Sequence, residues 1–208
     1  MENLAYESKK YSYEDLEKMK QDDSQRYEII NGDLFVMQSP HGRHQLVLGE
    51  FYRQISNFLM GKKCKPFIAP FDVVLSKSKK KNEIYNVIQP DIFVLCDLNK
   101  YDGSKVFGAP DLVIEIVSPG IKTNDRLRKF NLYQHYGVRE YWIVGLIENS
   151  ISPYILNEKG IFELPHMYEL TENIKVKILP GLTISLKDFI NENANLLKED
   201  EAEYEIQG

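Results

Sequence analysis

From His44 to Leu59, apolar residues at Leu46, Val47, Phe51, Ile55, Phe58 and Leu59 recur at helical spacing, and Gly61 stands where a helix C-cap is expected. Before this stretch, Ser12-Tyr13-Glu14-Asp15 resembles a capping box and predicts a short helix reaching about Lys20. Residues 27–30 and 34–37 flank Asn31-Gly32-Asp33, a hairpin signal because Asn-Gly tolerates positive φ. Three strand-like runs follow the long helix, at residues 67–75, 87–96 and 112–117. The second and third are nearly unbroken Ile, Val, Leu and Phe, as in strands buried on both faces. Ser118-Pro119-Gly120 breaks the third run. Thr123 or Asn124 then caps a helix to about Tyr136, Gly137 closes it, and residues 140–147 read as a further buried strand.

The core order is therefore helix, three strands, helix, strand, which predicts an α/β (α+β) fold with a mixed central sheet flanked by helices. Beyond it, residues 154–156 and 161–164 form an expected hairpin around Asn157-Glu158-Lys159-Gly160, and Ser185 to Asp188 an expected cap for a final short helix. No internal repeat or linker is visible. The expected organisation is one domain over residues 1–197 and an acidic, flexible tail over residues 198–208.

Composition narrows the class. A chain of 208 residues with 43% hydrophobic content can bury a sizeable core, and no apolar run approaches the ~20 residues that span a bilayer. The polar start lacks the apolar segment of a secretory signal. Cys64 and Cys96 lie far apart and form no CxxC, which predicts neither a disulfide frame nor a zinc ribbon and suggests a reducing cytoplasm. A net charge of −5 argues against a nonspecific DNA coat, yet the tail carries −4 of it. Two basic clusters remain, one running from Lys62 to Lys81 and the other made of Lys122, Arg126, Arg128 and Lys129. Solvated surface accounts for such clusters as readily as a phosphate-gathering field does.

Charges inside apolar strands are more informative, because an unpaired buried carboxylate is too costly to keep without a partner or metal. Asp91 lies in Gln89-Pro90-Asp91-Ile92-Phe93-Val94-Leu95 and Glu115 in Leu112-Val113-Ile114-Glu115-Ile116-Val117. On strands ~4.8 Å apart, two carboxylates at matching heights converge on one cation, and hard oxygen donors suit Mg²⁺. The plain alternative makes Asp91 a turn cap and Glu115 the partner of a structural Arg or Lys. On the following helix, Asp125, Lys129 and Tyr133 stack at i, i+4 and i+8. They make either a surface ion pair above a packed ring or a lysine directed into the carboxylate site. Asp111 stands ~13 Å along the strand from Glu115 and reads as a structural cap. His41 and His44 lack a third zinc ligand.

In order along the chain come Tyr27-Glu28-Ile29-Ile30-Asn31-Gly32-Asp33, the His44 helix, Gln89-Pro90-Asp91, Pro110-Asp111 through Glu115-Ile116-Val117-Ser118-Pro119, Asp125, Lys129, Tyr133 and Gly137-Val138-Arg139-Glu140-Tyr141-Trp142-Ile143-Val144. This series resembles the bacterial restriction-endonuclease family called Uma-two, expanded in cyanobacteria, over roughly residues 10 to 190. The resemblance implies a restriction-endonuclease-like fold of the PD-(D/E)xK superfamily, with Asp91 as the first acid and Glu115 as the second. The motif's lysine would fall at Val117, and in this family Lys129 on the next helix is the expected substitute. Glu28 and His44 match family positions near the site, and Glu50 is an additional acid on the first core helix. Gly145 departs from the Asp that relatives commonly carry.

The resulting expectation is a Mg²⁺- or Mn²⁺-dependent endonuclease. Asp91, Glu115 and Lys129 would be catalytic, with metal held by Asp91, Glu115 and the Ile116 carbonyl. Glu28, His44, Glu50, Asp125 and Tyr133 would be neighbours, and Lys122, Arg126 and Arg128 would contact DNA. The fold analogy adds a homodimer, and the lack of a long apolar run predicts no membrane partner. The rival expectation is a nuclease-fold nucleic-acid-binding or accessory protein without catalysis, favoured by Val117.

Overall fold

The computed structural model describes residues 9–22, 25–117 and 123–197, with the side chains of 21, 22 and 123–125 left out. Ser12 and Asp15 exchange the hydrogen bonds of a capping box at the start of α1 (Tyr13–Asp22): the Ser12 N–H donates to Asp15 Oδ2 at 2.8 Å, and the Asp15 N–H to Ser12 Oγ at 3.3 Å. Next, β1 (Arg26–Ile30) and β2 (Asp33–Met37) form a hairpin whose two loop residues, Asn31 and Gly32, both take positive φ, at 53° and 81°. That is the twist a two-residue hairpin loop requires. Helix α2 (Gly42–Leu59) buries the stripe Val47, Leu48, Phe51, Ile55 and Leu59, and Gly61 follows it at φ 74°.

The chain then weaves between two sheets. Its strands are β3 (Lys65–Ile68), β4 (Val73–Val74), β5 (Val87–Ile88), β6 (Ile92–Leu95), β7 (Val106–Phe107) and β8 (Leu112–Val117). After α3 (Thr123–Tyr136) come β9 (Glu140–Gly145), β10 (Ser150–Ile155), β11 (Tyr168–Glu169), β12 (Ile174–Lys175), β13 (Thr183–Ile184) and α4 (Lys187–Glu192). A five-stranded sheet runs β2-β1-β5-β4-β7, and a six-stranded sheet runs β11-β10-β9-β8-β6-β3 with only β8 and β9 parallel. The pair β12 and β13 stands apart.

The six-stranded sheet is buried on both faces, which explains its near-continuous apolar sequence. Ile92, Val94, Leu112, Ile114 and Ile116 pack with Phe51 and Ile55 of α2 and with the C-terminal segment. The alternate residues Phe93, Leu95 and Val113 pack with Leu132 and Tyr133 of α3, and with Val73 and Ile88 of the other sheet. Glu115 shares the parity of Val113, so it points toward α3.

Several expectations are corrected. The run 67–75 is two strands in different sheets, separated at Pro70, and the run 87–96 likewise divides at Pro90. Proline has no N–H for a ladder, so each break releases the chain from one sheet to the other. Asp91 thus sits at a crossing between sheets. The expected strand 140–147 ends at Gly145, while the expected hairpin at 154–164 is present in short form, with one bridge from Leu156 to Phe162 and the Asn157 N–H bonded to the Ile161 carbonyl across the loop. Helix α4 starts after Leu186 without a side-chain cap, so Ser185 does not cap it. Cys64 and Cys96 are joined in a disulfide. The cause is register: Lys65 lies opposite Leu95, which brings the residues just beyond them together, and sequence spacing does not reveal this. The bond removes the premise on which the sequence suggests a reducing compartment. No helix among the described residues is long and apolar enough to cross a membrane. The expected tail, residues 198–208, lies outside the described residues.

Candidate active site

Strands β6 and β8 are antiparallel with Ile92 opposite Ile114, so Asp91, one residue before β6, falls opposite Glu115. Asp91 Oδ2 accepts the Ile116 N–H at 2.8 Å and lies 3.1 Å from His44 Nε2 on α2. Glu115 Oε1 accepts from Lys129 Nζ at 3.0 Å and from the Tyr133 hydroxyl, both on α3. Lys129 Nζ also lies 3.1 Å from Glu28 on β1, and Glu28 Oε1 in turn accepts the Gln89 N–H at 2.7 Å. Strands β1 and β8, helices α2 and α3 and the sheet crossing before β6 therefore meet at one cluster of three carboxylates, one ammonium and one imidazole. The cluster lines a cavity of about 330 Å³.

Burial governs the charges here. Loss of water raises the Glu115 carboxyl to about 7; Lys129 pulls it down, Asp91 and Glu28 push it up, and the Tyr133 hydrogen bond lowers it. Burial also opposes the Lys129 ammonium, but Glu115, Glu28 and Asp91 outweigh that and hold it above the ordinary lysine range, so it stays charged. For His44 burial again opposes charge, and the hydrogen bond and charge of Asp91 raise the imidazole above its usual value. The Tyr133 hydroxyl is pushed well up by burial and then by Glu115, so it is a donor.

Among the described residues, the hydrogen bonds use Oδ2 of Asp91 and Oε1 of Glu115, leaving the second oxygen of each without a protein donor. His44 Nδ1 is buried and unpartnered as well. No group of three or more His, Cys, Asp or Glu is arranged as a metal cluster among the described residues. The donor set is nonetheless one that suits Mg²⁺ or Mn²⁺, which take one or two carboxylates and complete their shell with water and phosphate.

Asp91, Glu115, Lys129, Glu28, His44 and Tyr133 are thus brought together, and Ile116 lines the same cavity. Glu50 is not. It is turned to Arg53 at 2.7 Å and to Gln54 Nε2 at 2.7 Å, and Gln54 binds the Ser185 carbonyl, so Glu50 ties α2 to the C-terminal segment. Its helix faces two environments, and its position on the sequence does not say which one it meets. The Asp125 side chain and Lys122 lie outside the described residues. Arg126 pairs with Glu148 at 3.5 Å, while Arg128 sits 5.1 Å above the Phe35 ring and 3.9 Å from Asp33. Val117 is buried, and the ammonium beside Glu115 comes from α3. Asp111 holds the Cys96 N–H and Arg139, away from the cavity. Lys80 and Lys81 of the other basic cluster pair with Glu83 and Glu17.

Sequence reading missed Gln89, Arg26, Phe35 and Met37. Gln89 carries the N–H that holds Glu28, and the other three line the cavity. Alternation in the hairpin is the signal that finds the lining residues: Arg26 and Glu28 share a face with their cross-strand partners Met37 and Phe35.

Comparison with known proteins bears on this arrangement. The profile of the Uma2 family, described as "Putative restriction endonuclease", matches residues 12–187. The uncharacterized protein slr1290 of Synechocystis sp. is 24% identical over 166 residues, 78% of this chain and 82% of that protein. The crystal structure of a putative nuclease belonging to DUF820 from Anabaena variabilis superposes with a TM-score of 0.67 at 16% identity, over 87% of this chain and 98% of that one. At that identity the likeness is one of fold, and the fold is the restriction-endonuclease-like mixed α/β architecture. With the family profile spanning most of its length, the chain belongs to the Uma2 family, the one described as "Putative restriction endonuclease".

Proposed function

We propose that this protein is a divalent-metal-dependent endonuclease that hydrolyses phosphodiester bonds in DNA. One observation carries the reading: Lys129 Nζ stands 3.0 Å from Glu115 Oε1 beside Asp91, a two-acid, one-lysine set completed from a helix although position 117 is Val. Asp91, Glu115 and the Ile116 carbonyl would hold Mg²⁺ or Mn²⁺. When bound there, such an ion would supply an activated water and neutralise charge on the phosphodiester. The chain's own groups do the rest. Lys129, kept charged by three carboxylates, faces the negative charge that grows on the phosphoryl oxygens. Glu28 and Tyr133 fix Lys129 and Glu115 in place, and His44 and the Ile116 N–H fix Asp91. Lys122 and Arg126 are proposed backbone contacts, and Arg128, over the Phe35 ring, a proposed contact to the nucleic acid.

The test is cleavage of supercoiled plasmid with Mg²⁺ or Mn²⁺ by the wild type and by Glu115→Ala. The reading expects nicking or linearisation by the wild type and a loss of at least about a hundredfold in the variant. Equal cleavage by the two proteins contradicts it. Val117 supports a second reading, a DNA-binding protein of nuclease fold without catalysis. DNA binding with no heat of Mn²⁺ binding would favour it.

A further inference from the structure

The cavity is built for more than a phosphate and a metal. Of its seventeen lining residues, eight are apolar, and three of them, Phe35, Val36 and Met37, belong to strand β2 of the hairpin. Directly across the hairpin from Glu28 is Phe35, and across from Arg26 is Met37. Opposed residues in an antiparallel pair lie about 5 Å apart, so the aromatic ring begins one strand away from the Lys129–Glu28 contact. Strand β2 is the edge of its sheet, and among the described residues no further strand covers it. The guanidinium of Arg128, the residue before Lys129, lies 5.1 Å from the Phe35 ring centre. Leu48 and Pro40 line the cavity from α2 and the segment that leads into it, and Val36 beside them is 58% exposed.

A phosphodiester gains nothing from such a wall, because its oxygens need donors. A flat heterocycle gains from it, since every nucleobase has a π-face that stacks on an aromatic ring or a guanidinium plane. A cavity of about 330 Å³ that sets aromatic and aliphatic side chains beside charged ones has the character of a site for a small organic group that carries charge. In a stacked duplex the base next to the scissile phosphate cannot leave the helix without unpairing.

We propose that Phe35, Met37 and Arg128 form a nucleobase subsite, so that the substrate is DNA with an unpaired nucleotide at the cut, either single-stranded or locally opened. This deepens the nuclease reading and rests on it. Phosphodiester hydrolysis itself is unchanged: water adds across the P–O bond, and the base is only held.

The experiment offers wild-type protein and Mn²⁺ one labelled DNA in three forms: single-stranded, fully matched duplex, and duplex with a central mismatched bubble. The single strand and the bubble should be cut at least about tenfold faster than the matched duplex, with cuts inside the unpaired stretch. Phe35→Leu, which keeps apolar bulk but loses the stacking face, should lower kcat/KM on the single strand about tenfold, and Phe35→Trp should retain it. Calorimetric Mn²⁺ binding should be the same in all three proteins. Should Phe35→Leu fail to fold, wild-type protein with a single strand carrying 2-aminopurine near the cut reads the stacking directly, as quenching of that base. Equal cutting of all three DNAs, an unaffected Phe35→Leu, or no quenching overturns the subsite and leaves the nuclease reading standing. Bound Mn²⁺ with no cleavage of any DNA overturns the nuclease reading and the subsite together.

Discussion

Glu115 and Glu140 are both buried glutamates on neighbouring strands of one sheet, yet they live in opposite circumstances. Glu140 accepts the Trp142 indole N–H at 2.7 Å and the backbone N–H groups of Lys177 and Ile178 at 3.1 and 2.8 Å, so both its oxygens are occupied. Glu115 has both of its described donors on one oxygen, and its other oxygen is left beside a cavity with Asp91 close by. Burial raises both carboxyls. Their neighbours set them apart. A buried acid satisfied by fixed N–H donors is a fastening between segments, here β9 and the 177–178 turn. A buried acid sharing its space with a second acid and a lysine is a site that a cation can enter. The same residue type, nearly as deeply buried, thus marks structure in one place and, on the function proposed above, chemistry in the other.

Breaking each side tests the contrast. Lys129→Met should be the most severe change. It removes the charge proposed to face the reacting phosphate, with an expected loss of plasmid cleavage of about 10²–10³-fold. It also leaves Glu28 and Glu115 without their shared cation, which lowers the denaturation midpoint measured in urea. Glu140→Gln should act on stability alone. Weakening its charge-assisted bonds should cost about 2–3 kcal/mol in urea unfolding, while cleavage per folded molecule stays at the wild-type level.

A gentler probe is pH. In the metal-free protein the folded-state value for Glu115 is raised to about 7 from an ordinary 4.5. The folded state then holds a proton that the unfolded chain has released, so this group's contribution to stability falls as pH rises from about 4.5 through 7. Glu115→Gln should abolish that part of the slope when unfolding is followed across this range. For the metal the sign reverses, because the proton competes with the cation. Apparent Mn²⁺ affinity should tighten by up to about tenfold per pH unit below 7 and level off above it. Affinity independent of pH between 5 and 7 would mean that Glu115 is not the ligand.

The fold was legible where one local signal decides an element. The Asn31-Gly32 loop, the Ser12–Asp15 cap, the apolar stripe of α2 and the otherwise apolar β8 each read correctly from a few residues. It was illegible where two sheets compete for one run. Residues 67–75 and 87–96 look continuous because both sheets bury apolar side chains, and the prolines that divide them are weaker signals than the hydrophobicity around them. The disulfide was hidden for a related reason, since the register of β3 on β6 is a long-range fact. At the site, Asp91 and Glu115 stand out as charges in apolar runs, whereas Glu28 and His44 come from the family resemblance alone. Glu140 is also a charge in an apolar run, which shows the limit of that rule: the pattern finds buried acids without saying what answers them. Glu50 went astray because a helical acid gives no sign of the face it occupies.

The most direct test is a calorimetric titration of the metal-free protein with Mn²⁺ at pH 8, comparing wild type, Glu115→Gln and Glu140→Gln. If Asp91 and Glu115 form the cation site, wild type and Glu140→Gln bind alike and Glu115→Gln loses the heat of binding. Binding that survives in Glu115→Gln, or is absent from the wild type, contradicts the account.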